Sequence, residues 1–130
     1  MLIFGHRFIP SNSFYHVYDI DSITNTPPSS TIYIEFSEKN LDIISHANLN
    51  QIRTSIFANN ITEIIYSFAL GASFIIVKKE LATTAQKLAT EYLFDAKILV
   101  IIEDESEIEE FALKGVDGVI FSNAIIKISS

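Results

Sequence analysis

Residues 52–77, IRTSIFANNITEIIYSFALGASFIIV, decide the fold. The stretch opens on an extended, β-branched run at 52–58 and turns at Asn59-Asn60. It then passes into Ile61, Ile64, Ile65 and Phe68, the i, i+3, i+4, i+7 stripe of a half-buried helix. Gly71 follows, where a left-handed residue commonly closes a helix, and Phe74-Ile75-Ile76-Val77 is an apolar strand without alternation. The unit is strand, helix, strand. The side-chain oxygen of Asn60 is placed to cap the free N–H groups at the helix start, with Ile64 four residues later on the buried face.

The same spacing recurs at Asp19…Ile23 and Asp104…Ile108. The second and third copies align without gaps: Gly71 and Gly115 differ by 115 − 71 = 44, as do Asn60 and Asp104. Working outward, strands are expected at 2–4, 14–18, 31–36, 98–102 and 118–121. Helices are expected at 19–24, 39–47, 80–94 and 106–114, ended by Pro27-Pro28 in the first case and by Gly115 in the last. Leu41, Ile44 and Ala47 mark the inner face of one helix, Leu81, Ala85, Leu88 and Tyr92 that of the longest. Ile108, Phe111 and Ala112 do so for the last. Residues from Ala124 onward suit a short helix or an extension.

Apolar strands joined by helical crossovers imply a parallel sheet buried on both faces. The expected fold is therefore a single α/β domain over 1–130, built of repeated βα units with a mostly parallel sheet. A period of 44 holding two such units corresponds to a quarter of an eight-stranded barrel, and six or seven strands fall short of closure. The sheet is then either open and flavodoxin-like or a partial barrel whose edges a second copy covers, a homodimer.

Composition narrows the function. With 48% apolar and 19% charged residues the chain can bury a core. A net charge of −7, with only nine Lys and Arg and no basic run, argues against nucleic acid and anionic membrane as partners. The absence of cysteine removes disulfides, thiolate nucleophiles and Cys-based metal sites. Apolar runs of about five residues are far short of the roughly 20 a membrane helix needs, and the opening MLIFGHR is too short for a signal-peptide core. A soluble, cytoplasmic protein is expected. Phosphate-loop, dinucleotide and zinc-protease patterns are missing, and only four glycines exist, so no cofactor is expected.

Ligands of parallel α/β folds bind beyond the C-terminal ends of the strands. That rim carries His6, Arg7, Glu35, Asn60, Lys78, Glu103, Asp104, Ser122 and Asn123. His6 and Arg7, directly after the first strand, suit an anion. Arg7, Asn60, Lys78 and Asn123 are candidate ligand-binding groups, and Glu35 or Glu103 is a candidate proton acceptor. His16 and His46 are weaker candidates, and His46, on the helix of Leu41 and Ile44, reads as a half-exposed structural histidine. The acidic run Glu103-Asp104-Glu105, followed by Glu107, Glu109 and Glu110, reads as the favoured acidic first turn of a helix, so no metal site is assigned to it.

Two resemblances attach to these residues. Phe4-Gly5-His6-Arg7 and Gly115-Val116-Asp117-Gly118-Val119-Ile120-Phe121 resemble the first and last strands of glycerophosphodiester phosphodiesterase barrels. That resemblance implies a barrel, a catalytic role for His6 and a metal-binding role for Glu35. Phe8 stands where the family has Gly, Ser37 where a second acidic ligand is expected, and no later His-Asp pair follows. The run 96–108 and the segment 71–79 are similar to the first strand with its acidic pocket and the last strand with its lysine in two-component receiver domains, in reversed order. The reading that results is a small-anion or protein-binding module without complete catalytic machinery. The alternative is a phosphodiesterase-like hydrolase or lyase, acting on a phosphorylated or carboxylated metabolite through His6, Arg7, Glu35 and Lys78.

Overall fold

The structure, a computed structural model, describes residues 1–128. The apolar runs form β1 (Leu2–Phe4), β2 (Phe14–His16), β3 (Thr31–Glu35), β4 (Thr54–Phe57), β5 (Phe74–Val77), β6 (Lys97–Ile102) and β7 (Gly118–Phe121). The extension foreseen after Ala124 is an eighth strand, β8 (Ile125–Lys127). Five helices lie between them: α1 (Ile20–Ile23), α2 (Leu41–Leu49), α3 (Ile61–Ala69), α4 (Ala82–Glu91) and α5 (Ser106–Leu113). One sheet holds all eight strands in the order β1-β7-β6-β5-β4-β3-β2-β8, and every neighbouring pair is parallel.

Two measurements decide between the open sheet and the partial barrel. β1 and β2 stand six places apart in the order, which in a flat sheet would separate them by about 29 Å at the usual strand spacing. Yet the Phe4 and Phe14 rings are 4.9 Å apart, and both touch Phe74 of β5, at 5.6 and 5.2 Å. The chain also passes from β7 to β8 through a single 3-10 turn, Ser122–Ala124. Those strands too are six places apart, and four residue steps reach at most about 14 Å. The sheet is therefore curled into a partial barrel.

Curling divides the core in two. The outer core lies between sheet and helices and includes Ile32, Ile34, Ile56, Ile75, Ile98 and Val100. The inner core fills the concave face with Phe14, Tyr33, Ile76, Leu99 and Ile120, joined by Phe4, Phe57 and Phe74. Alternate residues of each strand supply the two cores, which is why the strands read as unbroken apolar runs. Burial of a side chain such as Phe14, 2% exposed, contributes about 1.5–3 kcal/mol.

Caps form as the sequence implies at α1 and α3. Asp19 Oδ1 accepts from Ser22 N at 2.7 Å, and Asn60 Oδ1 from Glu63 N at 2.9 Å. Gly71 and Gly115 adopt φ of +81° and +75°, the left-handed closure expected of them. Several helix faces differ from expectation. On α3 the buried residues are Ile64 and Ser67, while Ile61 and Ile65 are exposed. Leu41 is exposed, with Ile43, Ile44 and Ala47 inward. In α4 Ala82, Ala85 and Ala89 are buried and Tyr92 is 65% exposed, and Ala112 of α5 faces solvent. An apolar stripe wider than the contact a helix makes with the sheet leaves its margin in solvent, and in α4 the contact is made by alanines.

Candidate functional site

Gly5 turns the chain off the end of β1. Its φ is +93°, and a Cβ there would lie 3.0 Å from Ala124 Cβ and 3.1 Å from Phe121 Cβ, so glycine alone suits both the turn and the close approach. Asn123 Nδ2 donates to Gly5 O at 3.0 Å, and Gly5 N donates to Ser11 Oγ at 3.1 Å, which fixes the segment that follows.

His6 is held at both ring nitrogens. Phe8 N donates to His6 Nδ1 at 3.1 Å, so Nδ1 carries the lone pair and Nε2 the proton, and Nε2 donates to Glu105 Oε2 at 2.7 Å. Arg7 Nη1 approaches the same oxygen to 3.7 Å, with its guanidinium 4.5 Å over the Phe8 ring. The His6 hydrogen bond first, and the Arg7 charge next, hold the Glu105 carboxyl below the usual carboxylate range. A cleft of about 380 Å³ opens here, lined by Gly5, His6, Arg7, Glu103, Asp104, Glu105 and Phe121.

The acidic run is largely engaged in the backbone turn that opens α5. Glu107 Oε1 accepts from Asp104 N at 3.0 Å, Asp104 Oδ1 accepts from Ser106 N at 2.9 Å, and Ser122 Oγ donates to Glu103 Oε2 at 3.0 Å. Lys79 pairs with Glu107. Among the described residues no group of three His or carboxylate side chains is placed to hold a metal.

The remaining candidates do not line this cleft. Glu35 closes β3 with its carboxylate 3.8 Å from His16 Nε2. Lys78 is exposed, and its backbone carbonyl accepts from Leu81 N at 3.0 Å in the turn before α4. Asn60 is the cap of α3 and Asn123 the tie to Gly5. Of the residues picked from sequence, His6 and Arg7 are brought together by one cleft. Their acidic partner, Glu105, had been read only as part of a helix start.

Sequence reasoning set His16 aside, and the structure gives it the most built polar environment of the rim. It is 8% exposed. The Tyr18 ring stacks on it at 4.2 Å, the Tyr33 ring meets it edge-on at 4.7 Å, and Tyr18 Oη lies 3.2 Å from its Nδ1. Burial pushes its pKa down, Glu35 opposes that, and Lys127 adds to it. Tyr33 is pushed above the ordinary phenol range by burial first, then by Glu35. The alternation of β2, which puts His16 on the same face as Phe14, was the available signal.

A cleft of about 700 Å³ lies at the opposite edge, between the loops at 26–30 and 50–53. Its one charged lining residue, Arg53, is bonded to Ser29 O at 2.5 Å. At that edge Asp117 Oδ2 also accepts from Ile98 N at 2.9 Å, and Gly118 packs on Leu2, so the Val-Asp-Gly segment before β7 has structural work there.

No model of a known protein family matches this chain, and no curated protein is significantly similar to it.

Proposed function

We propose that this chain is a binding module that takes a small carboxylate-bearing anion in the cleft beside β1, and that it lacks complete catalytic machinery. The observation that carries this reading is the convergence of two donors, His6 Nε2 and Arg7 Nη1, on one carboxylate oxygen of Glu105, at 2.7 and 3.7 Å. A histidine N–H and a guanidinium charge arranged around an internal carboxylate suit an external one equally, because both recognise the same oxygen and charge. The Glu105 side chain is 56% exposed, so an incoming anion displaces a group that solvent already reaches. Glu103 and Asp104 flank the cleft, and their charge disfavours a dianionic phosphate more than a monocarboxylate.

The rival reading, a phosphodiesterase-like hydrolase or lyase, requires His6, Arg7, Glu35 and Lys78 around one reacting centre. Support for the binding reading is that His6 and Arg7 line the cleft whereas Glu35 lies against His16. The test is calorimetric titration of acetate and of inorganic phosphate into wild type, Arg7→Ala and Glu105→Ala. Acetate is expected to bind more tightly than phosphate, to tighten in Glu105→Ala, and to weaken at least tenfold in Arg7→Ala. Absence of saturable acetate binding in Glu105→Ala would sink the proposal.

A separate observation favours self-association through α3. Ile61, Ile65 and Tyr66 are 46%, 43% and 52% exposed, beside a largely apolar groove lined by Phe36, Glu38, Leu41, Tyr66, Ala69 and Leu70. Clustered exposed apolar side chains mark interaction surfaces. Ile61, Thr62, Ile65, Tyr66 and Ala69 carry no charge, so the helix face itself can meet a second copy about a two-fold axis, with Glu38 the one charged residue among those described that line the groove. Sedimentation should give a dimer for wild type and a monomer for Ile65→Asp; a monomeric wild type at high concentration overturns this reading.

A further inference from the structure

The concave face, lined largely by apolar side chains, carries a cluster of polar ones where β8, β2 and β3 end. Phe14 of β2 and Ile125 of β8 are register partners, and both pack in the inner core. Two residues further along each strand, on the same face, stand His16 and Lys127, again register partners; on its other side His16 is in register with Tyr33. Two residues beyond these lie Tyr18 and Glu35, so five polar side chains follow one another on three adjacent strands and the loop just past β2. Their contacts agree with that placement: His16 touches Tyr18, Tyr33 and the Glu35 carboxylate.

Filling space does not call for this arrangement. One step lower, Phe14 fills the same face with no polar atom to desolvate, whereas an imidazole that is 8% exposed carries a desolvation cost. The two nitrogens of His16 are addressed separately, Nδ1 by the Tyr18 hydroxyl at 3.2 Å and Nε2 by the Glu35 carboxylate at 3.8 Å. With Glu35 ionised, the proton sits on Nε2 and the Tyr18 hydroxyl donates to Nδ1. The outer members remain reachable: Tyr18 is 53% exposed, the Glu35 side chain 58%, and Lys127 is exposed.

We propose that His16, Tyr18, Tyr33, Glu35 and Lys127 form a second ligand site, at the mouth of the partial barrel, for a small hydroxycarboxylate. The site is bipolar. The Lys127 ammonium receives the ligand's carboxylate, and the Glu35 carboxylate accepts from its hydroxyl. The stacked His16 and Tyr18 rings form a wall fixed by the Tyr18 hydroxyl on His16 Nδ1 at 3.2 Å, so the ligand meets groups already held in place. This site differs from the His6 cleft in the ligand feature it reads, since Glu35 requires a hydroxyl that acetate does not have.

The experiment follows the His16 imidazole by NMR while glycolate, and separately acetate, is titrated at constant ionic strength and pH 7.5. The proteins are wild type, Lys127→Ala, Glu35→Gln and Arg7→Ala. Lys127 and the Glu35 side chain are exposed, so these variants should keep the fold, and circular dichroism checks it. Saturable movement of the His16 signal by glycolate is expected in wild type and Arg7→Ala. Affinity should fall at least tenfold in Lys127→Ala and several-fold in Glu35→Gln, with acetate weaker than glycolate in wild type. A His16 signal that does not respond, or a glycolate affinity unchanged by Lys127→Ala, overturns the proposal. Loss of the response in Arg7→Ala overturns it too, since that would assign the effect to the His6 cleft.

Discussion

His6 Nε2 lies 2.7 Å from Glu105 Oε2, a hydrogen bond that joins the segment after β1 to the start of α5 across 99 residues of sequence. The Phe8 N–H on Nδ1 leaves the Nε2–H tautomer as the one that makes both contacts. Long-range ¹⁵N NMR of the neutral protein should therefore show a protonated Nε2 and an unprotonated Nδ1 at His6. In Glu105→Ala the Nε2–H should exchange faster with water, and the unfolding midpoint should change little, because Glu105 is well exposed. A His6 signal averaged between tautomers in wild type would contradict the geometry.

Gly118→Ala tests how tightly β1 is seated on β7. A Cβ at this position would lie 2.7 Å from both the Cβ and the backbone oxygen of Leu2, and 2.8 Å from Leu99 Cδ2. The backbone oxygen belongs to the sheet and has little room to yield. The substitution should destabilise by about 1–3 kcal/mol, as overpacked cores do. Urea unfolding measures it, and an unchanged midpoint would mean that β1 moves freely.

Thr54 carries a buried hydroxyl in β4 with no hydrogen-bond partner among the described residues, at 1% exposure. Thr54→Val keeps the β-branched shape and removes the unpaired polar atom. An unsatisfied buried group costs about 1–3 kcal/mol, so the variant should be more stable than wild type by an amount of that order. A destabilised variant would show that the hydroxyl has a partner in solution.

Stability should fall in two separate steps on acidification. Burial pushes His16 below its ordinary value of 6.5. Above that value both folded and unfolded states hold it neutral; below it the unfolded chain takes up the proton first. The contribution of His16 is thus complete above about pH 6.5 and is lost as pH falls through its lowered folded value. Asp19 and Asp104 are held below 3.8, and Glu105 and Glu107 below 4.5, by hydrogen bonds they accept. Their contribution, slight for the well-exposed Glu105, is complete above those values and is lost at lower pH. Urea midpoints against pH should show both steps in wild type and only the lower one in His16→Gln.

What the sequence alone determined is local. The β-branched runs, the helical stripes, the Asp19 and Asn60 caps and the left-handed glycines at 71 and 115 are all set by residues within about four positions of one another. Each was legible before the chain was seen folded, and with them came the alternation of strand and helix and the parallel α/β class. Local pattern also put His6 and Arg7 just past a strand end, where ligands bind. Closure was decided by tertiary structure: β8, three residues long, is meaningful only because the sheet curls far enough for it to reach β2. Which side of each apolar stripe is buried was decided there too, so Ile61 and Ile65 face water and the alanines of α4 face the sheet. The same holds for the site, since the pairing of His16 with Glu35 and Lys127, and of His6 with Glu105, depends on strand order and register. The physical reason is that hydrogen-bonded strands of similar apolar composition pair almost equally well in any order. Only the simultaneous packing of both cores selects one order and brings distant polar residues to a common edge.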